Sequence, residues 1–245
     1  MARAIRASSP RGPDLVALQE VESARALADL RDRHLSGLGY RHLVFVPQPG
    51  CAVGVAFLSR LPVLRTRALA VGELDGEPLR HIVEIEVLDR GRRLVVLNNH
   101  WKSRNEGESQ TAAGRRKAAE VLARRVRQVL SEEPAADLIA VGDFNENLEE
   151  LSDWALQAGL YDPWVELPPR QRGSAAFRGR WQTPDHVLLA PGLRDERGFA
   201  YRRGGFRVLR PAFLLERRSG LPRRFAAGGA SDHLPLVLRL GLAER

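Results

Sequence analysis

Residues 138–147 read LIAVGDFNEN and residues 231–240 read SDHLPLVLRL. In both, an apolar run of strand length stands directly beside acid, amide or imidazole. Leu138–Val141 ends in Gly142-Asp143-Phe144-Asn145, and Ser231-Asp232-His233 opens onto Leu234–Leu240. The pattern recurs along the chain. Leu15–Leu18 ends in Gln19-Glu20, Leu94–Leu97 ends in Asn98-Asn99-His100-Trp101-Lys102-Ser103, and Asp185-His186 precedes Val187–Leu189. Strand ends are rigid mounts, and these are the groups that a hard cation and a phosphate require. Singly, each has a plainer reading: a glutamate after a strand as a solvated turn residue, Asp-Phe-Asn as a turn bonded to its own backbone, a lone histidine as a packed side chain. The ordered set on one chain is what argues for a site.

Working outward, Val53–Leu58 and Ile82–Leu88 also read as strands, IVEIEV by an alternation that predicts one wet face and GRRLVVLNNH as a strand covered on both. Helical spacing predicts helices over Ser23–Leu35, Gln110–Leu130 and Glu149–Ala158, the second placing Ala118, Leu122, Val126 and Val129 on one stripe. Residues 165–182 and 194–230 are aperiodic and rich in Gly, Pro and Arg, so they read as long surface loops. No linker divides the chain, and one mixed α/β domain over residues 1–245 is the economical reading.

The 245 residues are long enough to bury a core without disulfide or structural metal, and the single Cys51 excludes an internal disulfide or a cysteine zinc site. The longest apolar run, Cys51–Leu58, is too short to span a bilayer. The opening MARAIRASSPRGPD lacks the apolar run of a secretory signal, so the reading is a cytoplasmic protein as written, or a secreted one if the chain starts further upstream. Net charge is +8, nearly all from arginine since Lys102 and Lys117 are the only lysines. That balance favours a polyanionic partner by long-range attraction, and it equally fits codon bias.

Taken in order, PDLVALQEVE (13–22), GVAFLSRLPV (54–63), NNHWKSR (98–104), VGDFNEN (141–147), TPDHVLLAPGL (183–193) and SDHLPLVLRL (231–240) resemble the DNase I-like endonuclease/exonuclease/phosphatase superfamily, nearest to bacterial members with an NHWKS motif. The resemblance implies an α/β (α+β) fold, a four-layer αββα sandwich of two mixed sheets with the site at one edge. It implies hydrolysis of phosphate esters with Mg²⁺ or Mn²⁺. Glu20 takes the place of the metal-ligand glutamate, and Asp143 and Asn145 that of the pair handling attacking water and phosphate. Asp232 stands as the second acidic metal group, His233 as the catalytic imidazole, Asp185 as the acid orienting it, and His100 as a second active-site histidine.

Chemistry supports these roles independently. Glu20 offers a hard oxygen to an octahedral ion, an imidazole held by a carboxylate exchanges protons near neutral pH, and Asn145 can donate to developing charge. Lys102 and Arg104 are candidate phosphate binders. Three departures from the family stand out. The strand ending in Asn with which members begin has no counterpart, which leaves the expectation that Leu15–Leu18 keeps an unpaired edge and that metal binds weakly. The acid expected after Arg80 is absent, His81 standing there, and His186 replaces a common tyrosine. The leading expectation is a metal-dependent phosphodiesterase, specifically a nuclease acting on nucleic acid, with no obligate protein partner. The alternatives are a phosphatase or phospholipase acting on phosphorylated small molecules or lipid headgroups, such as inositol phosphates or sphingomyelin, and a degenerate binding protein.

Overall fold

Three apolar layers, not one, organise the chain. They are seen in a computed structural model, which describes residues 1–105, 107–222 and 231–243. The elements in chain order are α1 (Ala2–Ser8), β1 (Leu15–Val21), α2 (Ala24–Asp29, running on as a wider π-helical turn over Leu30–His34), β2 (His42–Pro47), β3 (Gly54–Ser59), β4 (Val63–Leu69) and a small hairpin of β5 (Glu73–Leu74) and β6 (Glu77–Pro78). There follow β7 (Ile82–Asp89), β8 (Arg92–His100), α3 (Glu108–Glu132), β9 (Leu138–Asp143), α4 (Leu148–Gln157), the hairpin β10 (Ala175–Phe177) and β11 (Arg180–Gln182), β12 (Asp185–Leu189), β13 (Phe199–Val208) and β14 (Leu236–Leu242).

One five-stranded sheet, ordered β12-β9-β8-β7-β4, is antiparallel except for the parallel pair β8 and β9. Facing it are the three-stranded sheet β1-β3-β2 and the two-stranded sheet β13-β14. Val55 and Phe57 of β3 meet Val83, Ile85, Val96, Val187 and Leu189 of the large sheet and Phe199 and Phe206 of β13 in one core between the sheets. Ala118, Leu122, Val126 and Val129 of α3 form a second core on the large sheet's outer face, on the stripe that the sequence predicts. Each fully buried Leu or Val there contributes roughly 1.5–3 kcal/mol. Ile5, Leu27 and Leu35 cover β1 and β3 from the other outside. The architecture is the expected mixed α/β four-layer sandwich.

β1 is hydrogen-bonded on one edge, to β3, and β14 on one edge, to β13. Leu15, Ala17, Leu236, Leu238 and Leu240 from these strands reach the shared core and are only partly buried.

Several sequence expectations need correction. The polar face of IVEIEV is not wet: Glu84 is 1% exposed because α3 lies over it, and Arg125 donates to both its carboxylate oxygens at 2.5 and 2.8 Å. Residues 165–182 are not one loop, since they hold two short 3₁₀ turns and the β10–β11 hairpin. Residues 194–222 contain β13, while 223–230 lie outside the described residues. The strand was hidden because four residues, Arg202 to Gly205, stand opposite Arg239 alone, which breaks the alternation. Edge strands β2 and β4 were also missed; β4 carries Arg65 and Arg67 paired across to Glu86 and Glu84 at 3.7 and 3.8 Å, charge typical of a protected edge.

Candidate active site

Register places the polar residues in a row. In β8, β9 and β12, His100 lies opposite Asp143, and Asp143 opposite Asp185, so three neighbouring strands deliver imidazole, carboxylate and carboxylate to one end of the sheet. Gly142 permits this alignment: its φ is +124°, and a Cβ there would fall 2.0 Å from the carbonyl oxygen of Asn99. Glu20 enters from the facing sheet. Gln19 and Glu20 together oppose Val55, a β-bulge, and Glu20 takes φ +57°. The bulge turns its side chain outward until Oε1 lies 3.7 Å from His100 Nε2. That same nitrogen is 3.9 Å from Asp143 Oδ2.

His233 arrives on the segment before β14. Its backbone bridges Ala175, and its Nδ1 lies 2.8 Å from Asp185 Oδ2, which also accepts from Ser174 Oγ at 2.6 Å. The Asp185 charge foremost, then the hydrogen bond and the charges of Asp143 and Asp232, raise His233 to about 10 against the effect of burial. Burial acts to raise Asp185, yet His233 and the two hydrogen bonds take it below its ordinary range. The pair is imidazolium and carboxylate, with Nε2–H bonded to no group among the described residues. Asp143 behaves oppositely: burial, then neighbouring Asp185, push it up to about 7. His100 is pushed down to about 3 by burial, then by Arg80 and His233, so it stays neutral.

Asn145 is held at φ +51°, with its N–H on Asp143 Oδ1 at 2.9 Å and its Nδ2 donating to Asp143 Oδ2 at 3.0 Å and to the Trp101 carbonyl at 3.2 Å. Both amide hydrogens are therefore committed, and Asn145 fixes Asp143 where the sequence suggested a donor to substrate. Arg104 also differs from expectation. Its Nε donates to the Asn145 carbonyl at 2.6 Å, and its guanidinium meets Glu146, Glu150 and Glu108. It braces the loop and its charge is already balanced. Lys102 sits half-buried on the same loop after β8, its Cβ beside Gly114 of α3. Asp232 is exposed next to His233.

Sequence reasoning missed four contributors. Arg80 donates to the Trp101 carbonyl at 2.9 Å and is close enough to lower both His100 and Asp143, so its charge faces the site. Asn98, fully buried, crosses between the sheets, donating to the Leu18 carbonyl at 3.2 Å and accepting from Gln19 Nε2 at 2.5 Å. Ser174 holds Asp185. Asp162 holds His186, whose Nδ1 lies 2.6 Å from Asp162 Oδ2 and whose Nε2 lies 2.9 Å from the Glu146 carbonyl. Only Asn98 and Arg80 stood inside or beside a quoted motif. No local pattern marks Ser174 or Asp162. Where an acid was expected after Arg80, the His81 N–H donates to Gln48, and the carboxylates nearest His100 are Glu20 and Asp143.

The donor set suits a hard divalent cation. Asp143 and Asp185 cluster with His233, whose protonated ring leaves the carboxylate oxygens as the ligands, and Glu20 Oε1 and Asp143 Oδ2 lie 3.7 and 3.9 Å from the same nitrogen of His100. Among the described residues, the hydrogen-bond donors on Asp143 belong to Asn145 alone, which leaves its buried charge without a bonded cation.

A sandwich of this layering, with acids and imidazoles converging on strand ends, defines a phosphoesterase-type fold. The chain belongs to the Endonuclease/Exonuclease/phosphatase family, whose sequence model matches residues 1–241. A comparison with curated proteins returns no match. Among solved structures, truncated Caenorhabditis elegans TDP2 is similar at 17% identity and TM-score 0.66, covering 96% of this chain and 86% of that one. D. rerio TDP2 complexed with a single-strand DNA product is similar at 16% identity and TM-score 0.63, over 94% and 86%. The human Nocturnin catalytic domain with bound sulfate is similar at 20% identity and TM-score 0.62, over 94% and 81%. No helix among the described residues is long and apolar enough to cross a membrane.

Proposed function

We propose that this protein is a divalent-metal-dependent phosphodiesterase acting on nucleic acid. The observation that carries the reading is the division of charge across one strand row: His233 kept protonated by Asp185, beside Asp143 kept near neutrality. Two groups that release their protons at well-separated pH, Asp143 at about 7 and His233 at about 10, are what a base and an acid at one reaction centre require.

Glu20 and Asp143, with Asp232 alongside, would hold Mg²⁺ or Mn²⁺, which when bound would neutralise charge on the non-bridging phosphate oxygens. Asp143, oriented by the backbone N–H and one Nδ2 hydrogen of Asn145, takes a proton from the attacking water. His233 presents Nε2–H to the leaving oxygen and gives up that proton as the ester bond breaks. Asp185 and Ser174 fix the ring so that Nδ1 is not the nitrogen offered. Neutral His100 flanks the phosphate without adding charge, and Arg80 supplies the positive side chain that the sequence reading sought in Lys102 and Arg104.

Nucleic acid is favoured over a small phosphoester by the net charge of +8 and by the single-strand DNA product in the similar D. rerio TDP2. The test is cleavage of end-labelled oligodeoxynucleotide and oligoribonucleotide with Mg²⁺ or Mn²⁺, repeated in excess EDTA. Fragments are expected only with the metal. Full cleavage in EDTA would contradict the proposal.

A further inference from the structure

We infer that the β10–β11 hairpin is a nucleobase platform, with Phe177 stacking on an unpaired base next to the scissile phosphate and Arg178 and Arg180 meeting the backbone. The inference rests on the phosphodiesterase reading and adds to it the single-stranded form of the substrate and the residues that hold it.

The hairpin is welded to the catalytic pair. β10 pairs with β11 on one edge, and on the other Ala175 bridges His233; the Leu234 N–H donates to the Ser174 carbonyl at 2.6 Å. Ser174, just before the hairpin, holds Asp185. The turn Arg178-Gly179 has φ +48° and +79°, both positive as in the tight two-residue turn that matches strand twist. Register then separates two faces. Ala176 and Trp181 form one cross-strand pair, and the back is anchored there: Arg210 lies 4.2 Å over the Trp181 ring and donates to the Gln171 and Gly173 carbonyls. Phe177 and Arg180 form the opposite pair and point outward.

Phe177 is 54% exposed, and among the described residues it is the only exposed Phe, Tyr or Trp. An exposed phenyl at the tip of an anchored hairpin contributes nothing to a core. Arg178 lies 5.1 Å from its ring centroid. Among the described residues, no carboxylate lies within 4.0 Å of Arg170, Arg172, Arg178, Arg180 or Arg210, whereas the arginines of the loop brace are matched by glutamates. Arg178 and Arg180 therefore offer unbalanced positive charge beside the exposed Phe177 ring, the combination that tracks a single strand. Phe177 stands two residues beyond Ala175, about 7 Å along the strand. That is the reach of one nucleotide from a phosphate held at His233. A base inside a duplex is already stacked on both faces, so the platform selects single strands or frayed ends.

The experiment compares wild type, Phe177→Ala, Phe177→Trp and the Arg178→Ala/Arg180→Ala pair. Substrates are oligothymidylate, oligouridylate, a blunt duplex and bis-p-nitrophenyl phosphate, with fluorescence anisotropy of labelled oligonucleotides in EDTA as a binding readout. Phe177→Ala should weaken single-strand binding on the order of tenfold, raise KM for the oligonucleotides similarly, and leave bis-p-nitrophenyl phosphate turnover unchanged. Phe177→Trp should restore binding, and the arginine pair should flatten its salt dependence. Unchanged binding in Phe177→Ala, tighter binding of duplex than of single strand, or equal losses on bis-p-nitrophenyl phosphate would each overturn the inference. Phe177-dependent single-strand binding without hydrolysis of any substrate would support the platform and overturn the phosphodiesterase reading alone.

Discussion

Asp185 determines how His233 behaves. A histidine gaining an anionic partner is stabilising below its unfolded value near 6.5, and that stabilisation is lost as pH rises through the folded value of about 10. In the proposed mechanism the catalytic counterpart has the same sign: a proton donor at Nε2 would work until His233 deprotonates, while Asp143 would work as a base once pH rises past its own midpoint of about 7. Activity should therefore be bell-shaped. Asp185→Asn removes the main cause of the raised value, so the alkaline limb of kcat/KM should move down by more than one pH unit toward that of an ordinary histidine. A pH profile with bis-p-nitrophenyl phosphate checks this, and an unmoved alkaline limb would remove Asp185 from its role. At this scale the sequence was informative wherever a residue ended an apolar run: Glu20, His100, Asp143, Asp185 and His233 all reach one site. Ser174 and Asp162 act from irregular segments, where spacing has no periodicity to reveal them.

Between residue and fold lies the segment Phe144–Asn147, an element without regular structure that is held at many points. Phe144 packs against Trp101 at 4.7 Å and edge-on against His186 at 5.5 Å. The Glu146 carboxylate takes Arg115, itself 1% exposed, and Arg104; Asn147 caps α4 in a reciprocal box with Glu150. His186 adds Nε2–H to the Glu146 carbonyl, and because a carbonyl only accepts, that nitrogen carries a proton in every state. His186→Leu should lower kcat at least tenfold with a smaller change in KM, since it frees the segment whose Asn145 holds Asp143. It should also destabilise by about 3–5 kcal/mol, leaving Asp162 buried and unpaired. Asp162→Asn keeps the geometry, its amide donating to Nδ1, and should retain most of the turnover. Equal losses in the two variants would show that charge, not the tie to Glu146, matters. The tyrosine-to-histidine departure thus has a structural account that sequence alone lacked. β13 was illegible for a related reason: its Arg202–Gly205 excursion satisfies neither helical nor strand period.

Across the whole molecule, two sheets bring Glu20 from one side and His100, Asp143 and Asp185 from the other, with His233 completing the site at their common end. The four-layer order was legible because the amphipathic stripe of α3 and the buried runs of β3 and β8 leave few ways to hide three apolar faces. The wet face assigned to β7 was the misreading, because a buried Glu84–Arg125 pair has the same alternation as a solvated strand. Substrate cannot follow from the fold, which hosts many chemistries; it has to follow from the site. The central claim is that this site hydrolyses phosphodiesters with His233 as its proton donor. The most direct measurement is kcat of His233→Ala against wild type on bis-p-nitrophenyl phosphate at saturating Mg²⁺. The account predicts a loss on the order of 10²–10⁴, measured well below a melting temperature that should fall because Asp185 loses its cationic partner. Turnover within a few-fold of wild type would contradict it.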